Sequence, residues 1–180
     1  IMYRLKANGR AAVIVPDGFL FGVDGAKLAI KTKLLKDFNL HTIIRLPGSI
    51  FSPYTSIATN ILFFNNERVE DAPDGYSTKE TWFYRLDMPD GYKHFSKTKP
   101  MKVEHFAPAL DWWNNREEIT IDGFDKAKKY TAKEIADRNY NIDLCGYPHE
   151  EEEILAPKEL IQQYQEKRAS LNADIDRILE

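Results

Sequence analysis

At 180 residues, 43% of them hydrophobic, the chain has the length for one domain, or one domain plus an arm, and the apolar content for a real core. Its net charge of −3 excludes a general attraction to nucleic acid, so any DNA contact has to be local or supplied by a partner. No run is long enough to span a membrane, the lone Cys145 contributes no disulfide, the four histidines lack zinc-ligand spacing, and no signal-peptide pattern is present; a metal-free cytoplasmic protein is expected.

Residues 1–9 read as the last two turns of a helix, with Arg4 and Lys6 near its end and Gly9 as the stop. A helix without its beginning predicts a segment of a longer protein; the alternative is an ordinary terminus whose initiator has been removed. Ala11-Ala12-Val13-Ile14-Val15 is a continuous apolar run closed by Pro16-Asp17-Gly18, which predicts a strand buried on both faces. Asp24 can cap a helix running to about Asp37, with Ala26, Ile30, Leu34 and Phe38 on one side and Lys27, Lys31, Lys33 and Lys36 pointing mostly elsewhere. Thr42-Ile43-Ile44-Arg45-Leu46 predicts a second strand, which makes a βαβ unit with a right-handed crossover. The loop Leu46-Pro47-Gly48-Ser49-Ile50-Phe51-Ser52-Pro53-Tyr54-Thr55 leads to a third strand at 57–64, close enough to pair antiparallel with the second. The expected core is therefore α/β, a mostly parallel sheet with one antiparallel hairpin at its edge.

Residues 65–77 are polar, with Pro73-Asp74-Gly75 marking a turn, and Glu80-Thr81-Trp82-Phe83-Tyr84-Arg85-Leu86 is rich in strand formers. Residues 92–116 mix basic, aromatic and proline residues without a sustained period, with a short helix over 106–113. Lys93, Lys97, Lys99 and Lys102 interleave there with Tyr92, His94 and Phe95, which reads either as a solvated loop or as a phosphate-contacting surface. Thr131-Ala132-Lys133-Glu134 has capping-box spacing and predicts a short helix, followed by an ordered connector at 139–144. Four acids, Glu150 to Glu153, lead to a last helix from about Pro157, roughly 35 Å long at the usual rise. Ile161, Tyr164, Arg168, Leu171, Ile175 and Ile178 alternate spacings of three and four, a narrow coiled-coil-like seam with one arginine in it. That seam docks either on a partner or on its own domain. There is no Gly-x-Gly-x-x-Gly, no phosphate-binding loop, no Gly-x-Ser-x-Gly, and no paired carboxylate visible beside Asp17, so the residues by themselves give no chemistry.

The runs Gly9-Arg10-Ala11-Ala12-Val13-Ile14-Val15-Pro16-Asp17-Gly18-Phe19-Leu20-Phe21, Ile44-Arg45-Leu46-Pro47, Phe51, Thr59-Asn60-Ile61-Leu62-Phe63-Phe64 and Arg138-Asn139-Tyr140-Asn141-Ile142-Asp143-Leu144 follow one another in an order that resembles the modification (M) subunit of type I restriction-modification systems. That family is an adenine-N6 DNA methyltransferase using S-adenosylmethionine. The resemblance implies the C-terminal part of a Rossmann-like methyltransferase sheet with a helical C-terminal arm: a partial α/β domain at 1–88, an irregular and short-helix connector at 89–154, and an assembly arm at 155–180. The family's glycine-rich cofactor loop and catalytic Asn-Pro-Pro-Phe/Tyr motif are both absent from this sequence, so no catalytic residue is expected here, no cofactor binding by this chain alone, and no activity in isolation.

Further expectations carried by the resemblance concern contacts. Phe51, with Tyr54 second, matches the family's aromatic that packs on the extruded adenine; a core residue closing the hairpin is the alternative for Phe51. Asp17 and Gly18 follow a strand's C-terminal end and mark the edge of the active site, or Asp17 merely shapes a turn. Ile161, Tyr164, Leu171, Ile175 and Ile178 would bind the specificity (S) subunit; DNA and the restriction subunit are partners of the complete enzyme. A sheet cut through its strands would also self-associate. The competing function is a non-catalytic assembly module that joins the specificity subunit.

Overall fold

The structure is a computed structural model, and it describes residues 1–70, 72, 74–147, 161, 164–169, 171, 172, 175 and 177. Two compact units are present, residues 1–147 and 148–180.

The first unit is built on one six-stranded sheet. Its strands are β1 (Arg10–Pro16), β2 (Asn39–Arg45), β3 (Thr59–Asn65), β4 (Glu80–Arg85), β5 (Ile119–Ile121) and β6 (Phe124–Thr131), arranged in the order β1-β3-β2-β4-β6-β5. Only β2 and β4 run parallel; every other neighbouring pair is antiparallel. The sheet is therefore mixed and mainly antiparallel, not mostly parallel. The β2–β3 pair is not an edge hairpin either, because β3 pairs with β1 on its other side along the whole of β1. β1 and β2 each run antiparallel to β3, so they remain parallel to one another with β3 between them.

Residues 119–131, expected within an irregular connector, form two strands that extend the sheet. The alternation there is masked by lysines: Lys126, Lys128 and Lys129 ion-pair with Asp87, Asp125 and Glu80, so the strand carries charge where apolar residues would have announced it.

Two apolar layers flank the sheet. On one face α2 (Gly25–Asp37) and α4 (Ala132–Asp137) cover a core that includes Leu34, Leu35, Leu40, Ile43, Leu62, Phe83, Ile135 and Ile142. On the other, α3 (Ala107–Asn114) covers Ile44, Leu46, Tyr84 and Leu86 through Trp112, which stacks on Tyr84 at 4.5 Å. β1 lies beyond the reach of α3. Ala11, Val13 and Val15 pack inward while Ile14 stays 54% exposed, so the strand is an edge strand buried on one face, not on both. Its terminal Pro16, lacking a donor, suits that edge.

The caps expected from sequence form. Asp24 accepts from the Lys27 amide at 3.4 Å, and Thr131 and Glu134 close a capping box at 3.2 and 2.7 Å. The buried face of α2 differs from the expected stripe. Lys31 is buried with Leu34 and Leu35, whereas Ile30 is 41% exposed. The reason is local: the Lys31 ammonium donates to the Leu20 and Gly22 carbonyls at 2.9 and 2.7 Å, satisfying the C-terminal end of α1 (Asp17–Phe21), whose carbonyls have no other helical partner. Burial holds its pKa below the ordinary lysine value.

The first residues form a single 3-10 turn at Met2–Arg4, not two α-helical turns. Asn66 takes the carbonyls of Leu5 and Lys6 at 2.9 and 3.1 Å and exchanges backbone bonds with Asn8 and Gly9, which diverts the acceptors a helix would need.

At the other end of β2, His41 lies edge-on to Trp113 at 5.8 Å, beside Phe63. Burial, and next the Arg116 charge, lower its pKa below the ordinary 6.5, with Glu67 acting the other way. The unfolded chain thus takes up a proton before the folded one does, and stability is lost as pH falls from about 6.5 through the folded value. Urea midpoints between pH 5 and 7.5 should fall on acidification in the parent sequence and fall less in His41→Gln; equal slopes would remove His41 as the cause.

In the second unit, residues 161, 164–169, 171, 172, 175 and 177 are helical. Ile161, Tyr164, Leu171 and Ile175 are each more than half exposed. Ile178, Pro157 and the acids Glu150 to Glu153 lie outside the described residues, as does Pro73 of the expected turn. No described helix is long and apolar enough to cross a membrane.

Candidate functional site

β1 and β2 end at one end of the sheet, on either side of β3, which starts there. The chain returns from the loop after β2 with Asp17 N donating to Ala58 O and Leu46 N to Thr59 O, each at 3.0 Å. Three polar side chains therefore meet: Asp17 opening α1, Arg45 closing β2 and Asn60 in β3. Arg45 Nη2 donates to Asp17 Oδ1 at 3.1 Å and to Asp143 Oδ1 at 2.6 Å, and Asn60 Nδ2 donates to the same Asp17 oxygen. Asn60 is fully buried, and its Oδ1 has no hydrogen-bond partner among the described residues; with Arg45 and Asp143 it lines a cavity of about 10 Å³, room for a single water.

The sequence showed no carboxylate paired with Asp17. Asp143 is that carboxylate, brought in from 126 residues away and coupled through a shared guanidinium. Arg45, Asn60, Asp143 and Arg85 were all missed as site residues. The available signal was Arg45 and Arg85, each a charge at the end of an apolar strand.

Arg45 and Arg85 stand in register on the parallel strands β2 and β4. Each reaches into residues 139–147. Arg45 holds Asp143, while Arg85 Nη1 donates to Gly146 O at 2.9 Å and its Nε to Asp87 at 2.7 Å. Tyr147 Oη donates to Leu86 O at 2.8 Å, and Ile142 N to Leu20 O at 3.2 Å. The expected connector is thus a strap crossing the C-terminal ends of β2 and β4. Asn139 and Tyr140 have positive φ of 54° and 57°, and Asp143 N bonds Asn141 Oδ1, an Asx turn that keeps the strap out of the helix preceding it. Tyr140 and Tyr76 share a 2.9 Å bond, which, with burial, pushes Tyr76 up to about 12. Cys145 is buried under the strap, and desolvation pushes its thiol up to about 12, so it is an inert side chain at neutral pH.

The aromatic loop lies at the same end. Ser49 has φ of 63°, its Oγ donates to Gly48 O at 2.6 Å and accepts from Phe95 N at 2.8 Å, and Phe51 O accepts from Tyr54 N and Thr55 N at 2.9 and 3.2 Å. Ile50 packs on the core under α3, whereas Phe51 is 39% exposed and Tyr54 89% exposed. Gly18 lies in α1 with open space around its Cα, so no close approach demands a glycine there. The loop at 92–99 is ordered by aromatics: Phe95 is buried, Tyr92 and His105 pack on it, and Lys99 lies 3.7 Å from the Tyr92 ring while donating to Gly91 O. That lysine is used within the loop.

Asp17, the acid at the end of β1, accepts from Arg45 and Asn60 through its Oδ1. A cleft of about 200 Å³ beside β1 is lined by hydrocarbon such as Val13, Val15, Phe19 and Leu34. No group of three or more His, Cys, Asp or Glu among the described residues can hold a metal ion.

Comparison with known proteins agrees with this architecture. The sequence profile described as N-6 DNA methylase matches residues 1–154. The methylase subunit of the type I restriction enzyme EcoEI from Escherichia coli is 45% identical over 170 residues, covering 93% of this chain and 33% of that protein. A structure from work on complex assembly and conformational transition of the type I restriction-modification system superposes with a TM-score of 0.64 at 29% identity, over all of this chain and 37% of the other. The crystal structure of the type I restriction enzyme EcoKI M protein superposes at 0.57 and 26% identity, covering 75% of this chain and 33% of that one. The chain thus spans about a third of the length of these proteins.

Proposed function

On the premise that this chain belongs to the N-6 DNA methylase family, as part of a type I restriction-modification methylase (M) subunit, we propose that it supplies the target-base side of an adenine-N6 methyltransferase and neither its cofactor site nor its catalytic motif. The complete subunit transfers a methyl group from S-adenosylmethionine to adenine N6 in DNA, in a bacterial or archaeal cytoplasm. A duplex adenine is reached only by extruding it, and the extruded ring needs an aromatic or apolar surface to rest on. The observation that carries the reading is Phe51, half-exposed on a braced loop at the sheet end where Asp17, Arg45 and Asp143 meet. Phe51 packs on the base, Tyr54 stands beside it, and Asp17 with Gly18 forms the rim.

The test of this division of labour is calorimetric titration of the 180-residue chain with S-adenosylmethionine, together with a methyl-transfer assay on duplex DNA. Neither heat of binding nor transfer is expected. Micromolar cofactor binding or methylated adenine would overturn it.

The second unit gives an assembly reading beside the catalytic one. Ile161, Tyr164, Leu171 and Ile175, each at an exposed helical position, dock the specificity subunit together with Ile178, which their spacing in the sequence adds, and the restriction subunit is a further partner in the full complex. A structure concerned with type I complex assembly supports partner subunits of this kind. In the isolated chain the outer edge of β1 pairs with no described strand and carries the exposed Ile14. Light scattering is expected to show concentration-dependent self-association; a strict monomer at high concentration would contradict it.

A further inference from the structure

At the end of the sheet opposite Arg45, six residues away along β2 and so about 20 Å distant, lies a cleft of about 430 Å³. Its walls include His41 from β2, Trp82 and Glu80 from β4, Lys79 before β4, Glu67 after β3 and Arg116 after α3. The volume and the mixed aromatic and polar lining suit a small-molecule site.

The charges there are unevenly matched. Glu80 is paired with Lys129 at 3.2 Å. Among the described residues Glu67 accepts from the Asn39 and Asn65 side-chain amides, each at 3.3 Å. Arg116 is half-buried with its guanidinium 4.3 Å from the Trp113 ring centroid and 5.7 Å from that of Trp112. It makes neither an ion pair nor a hydrogen bond among the described residues, and Lys79 Nζ likewise has no partner. A guanidinium fixed by two indoles, partly desolvated and with its donors unspent, is poised for an anion. Burial alone holds its pKa below the usual arginine value, and no carboxylate restores it.

We propose that this cleft binds a nucleotide: Arg116 and Lys79 take the phosphate, Trp82 and His41 face the base, and the Glu67 carboxylate accepts from a hydroxyl or amino group. The phosphate follows from two unpaired cations that line one cleft. The base follows from the aromatic walls, where His41 is held edge-on to Trp113 and neutral at pH 7. Glu67 accounts for a preference over bare phosphate, since its carboxylate repels an anion and rewards a donor. The nucleotide is either free or one residue of a nucleic-acid strand, which present the same chemistry to these side chains.

The experiment is titration of the full chain with adenosine monophosphate, adenosine, inorganic phosphate and a short single-stranded oligonucleotide, read by tryptophan fluorescence and calorimetry. Adenosine monophosphate is expected to bind with a dissociation constant below about 1 mM, with adenosine and phosphate each at least about tenfold weaker. Arg116→Gln should weaken binding by about tenfold or more and Lys79→Gln by several-fold, with the S-adenosylmethionine result unchanged. Tighter binding by the oligonucleotide assigns the nucleotide to a strand; equal or weaker binding assigns it to a free molecule. Absence of saturation by both nucleotide forms, or full affinity in Arg116→Gln, would overturn the proposal. Lys79 is exposed and its replacement leaves the fold untouched, so full affinity in Lys79→Gln overturns it even if the arginine variant unfolds.

Discussion

Arg45→Met is expected to lower the unfolding free energy by about 3 kcal/mol, the low end for breaking a buried ion pair by removing one partner. The guanidinium is 10% exposed, and one of its nitrogens serves both Asp17 and Asp143, whose side chains are 26% and 28% exposed. Without it, two carboxylates at one spot keep a single donor between them, the Asn60 amide on Asp17. Their partial exposure lets water recover some of the loss, which is why the larger values for such a site are not expected. The strap also loses one of its anchors, so amide exchange over 141–147 should speed up more than in β3. Lys33→Met breaks the more solvent-exposed pair with Asp37 and should cost much less. Urea unfolding of the two variants checks the ordering. A loss under about 1 kcal/mol for Arg45→Met would mean that the strap is held by Arg85 and Tyr147 alone.

The parts of the fold that local chemistry determines were legible in the sequence. Asp24 and the Thr131–Glu134 pair cap the helices they announce, and the strands around Val13, Ile43, Leu62 and Phe83 form where apolar and β-branched residues cluster. Pairing was not legible, because insertion of β3 between β1 and β2 depends on contacts remote in sequence. Burial of Lys31 was hidden for a similar reason: its partners are carbonyls of Leu20 and Gly22, groups that carry no side-chain signature. The strands at 119–131 were concealed by lysines, two of which pair with Glu80 on β4 and Asp87 just after it. At the site, Asp17 and the aromatic loop stood out, while Asn60 and Asp143 did not. An Asn inside a strand and an Asp in a turn have ordinary structural roles, and only the fold brings both within reach of Arg45.

Phe51→Ala in the intact methylase is expected to weaken base extrusion and the methylation step by about 1–3 kcal/mol, the usual worth of a base–aromatic stack, which is about 5- to 150-fold. The ring is 39% exposed, and the loop beneath it is held by backbone bonds from Phe51 O and by Ser49 to Phe95, none of which the substitution removes. Ile50, the neighbour that packs inward, stays in place. Stability and cofactor affinity should therefore change little, and the effect should fall on the target base. Tyr54→Ala, at 89% exposure, should have the smaller effect on the same readout. The direct measurement is fluorescence of 2-aminopurine at the target position with single-turnover methylation of the same duplex. Reduced extrusion and rate in Phe51→Ala, with near-normal values in Tyr54→Ala, is the predicted result; unchanged extrusion and rate in Phe51→Ala would contradict the assignment of this loop to the target base.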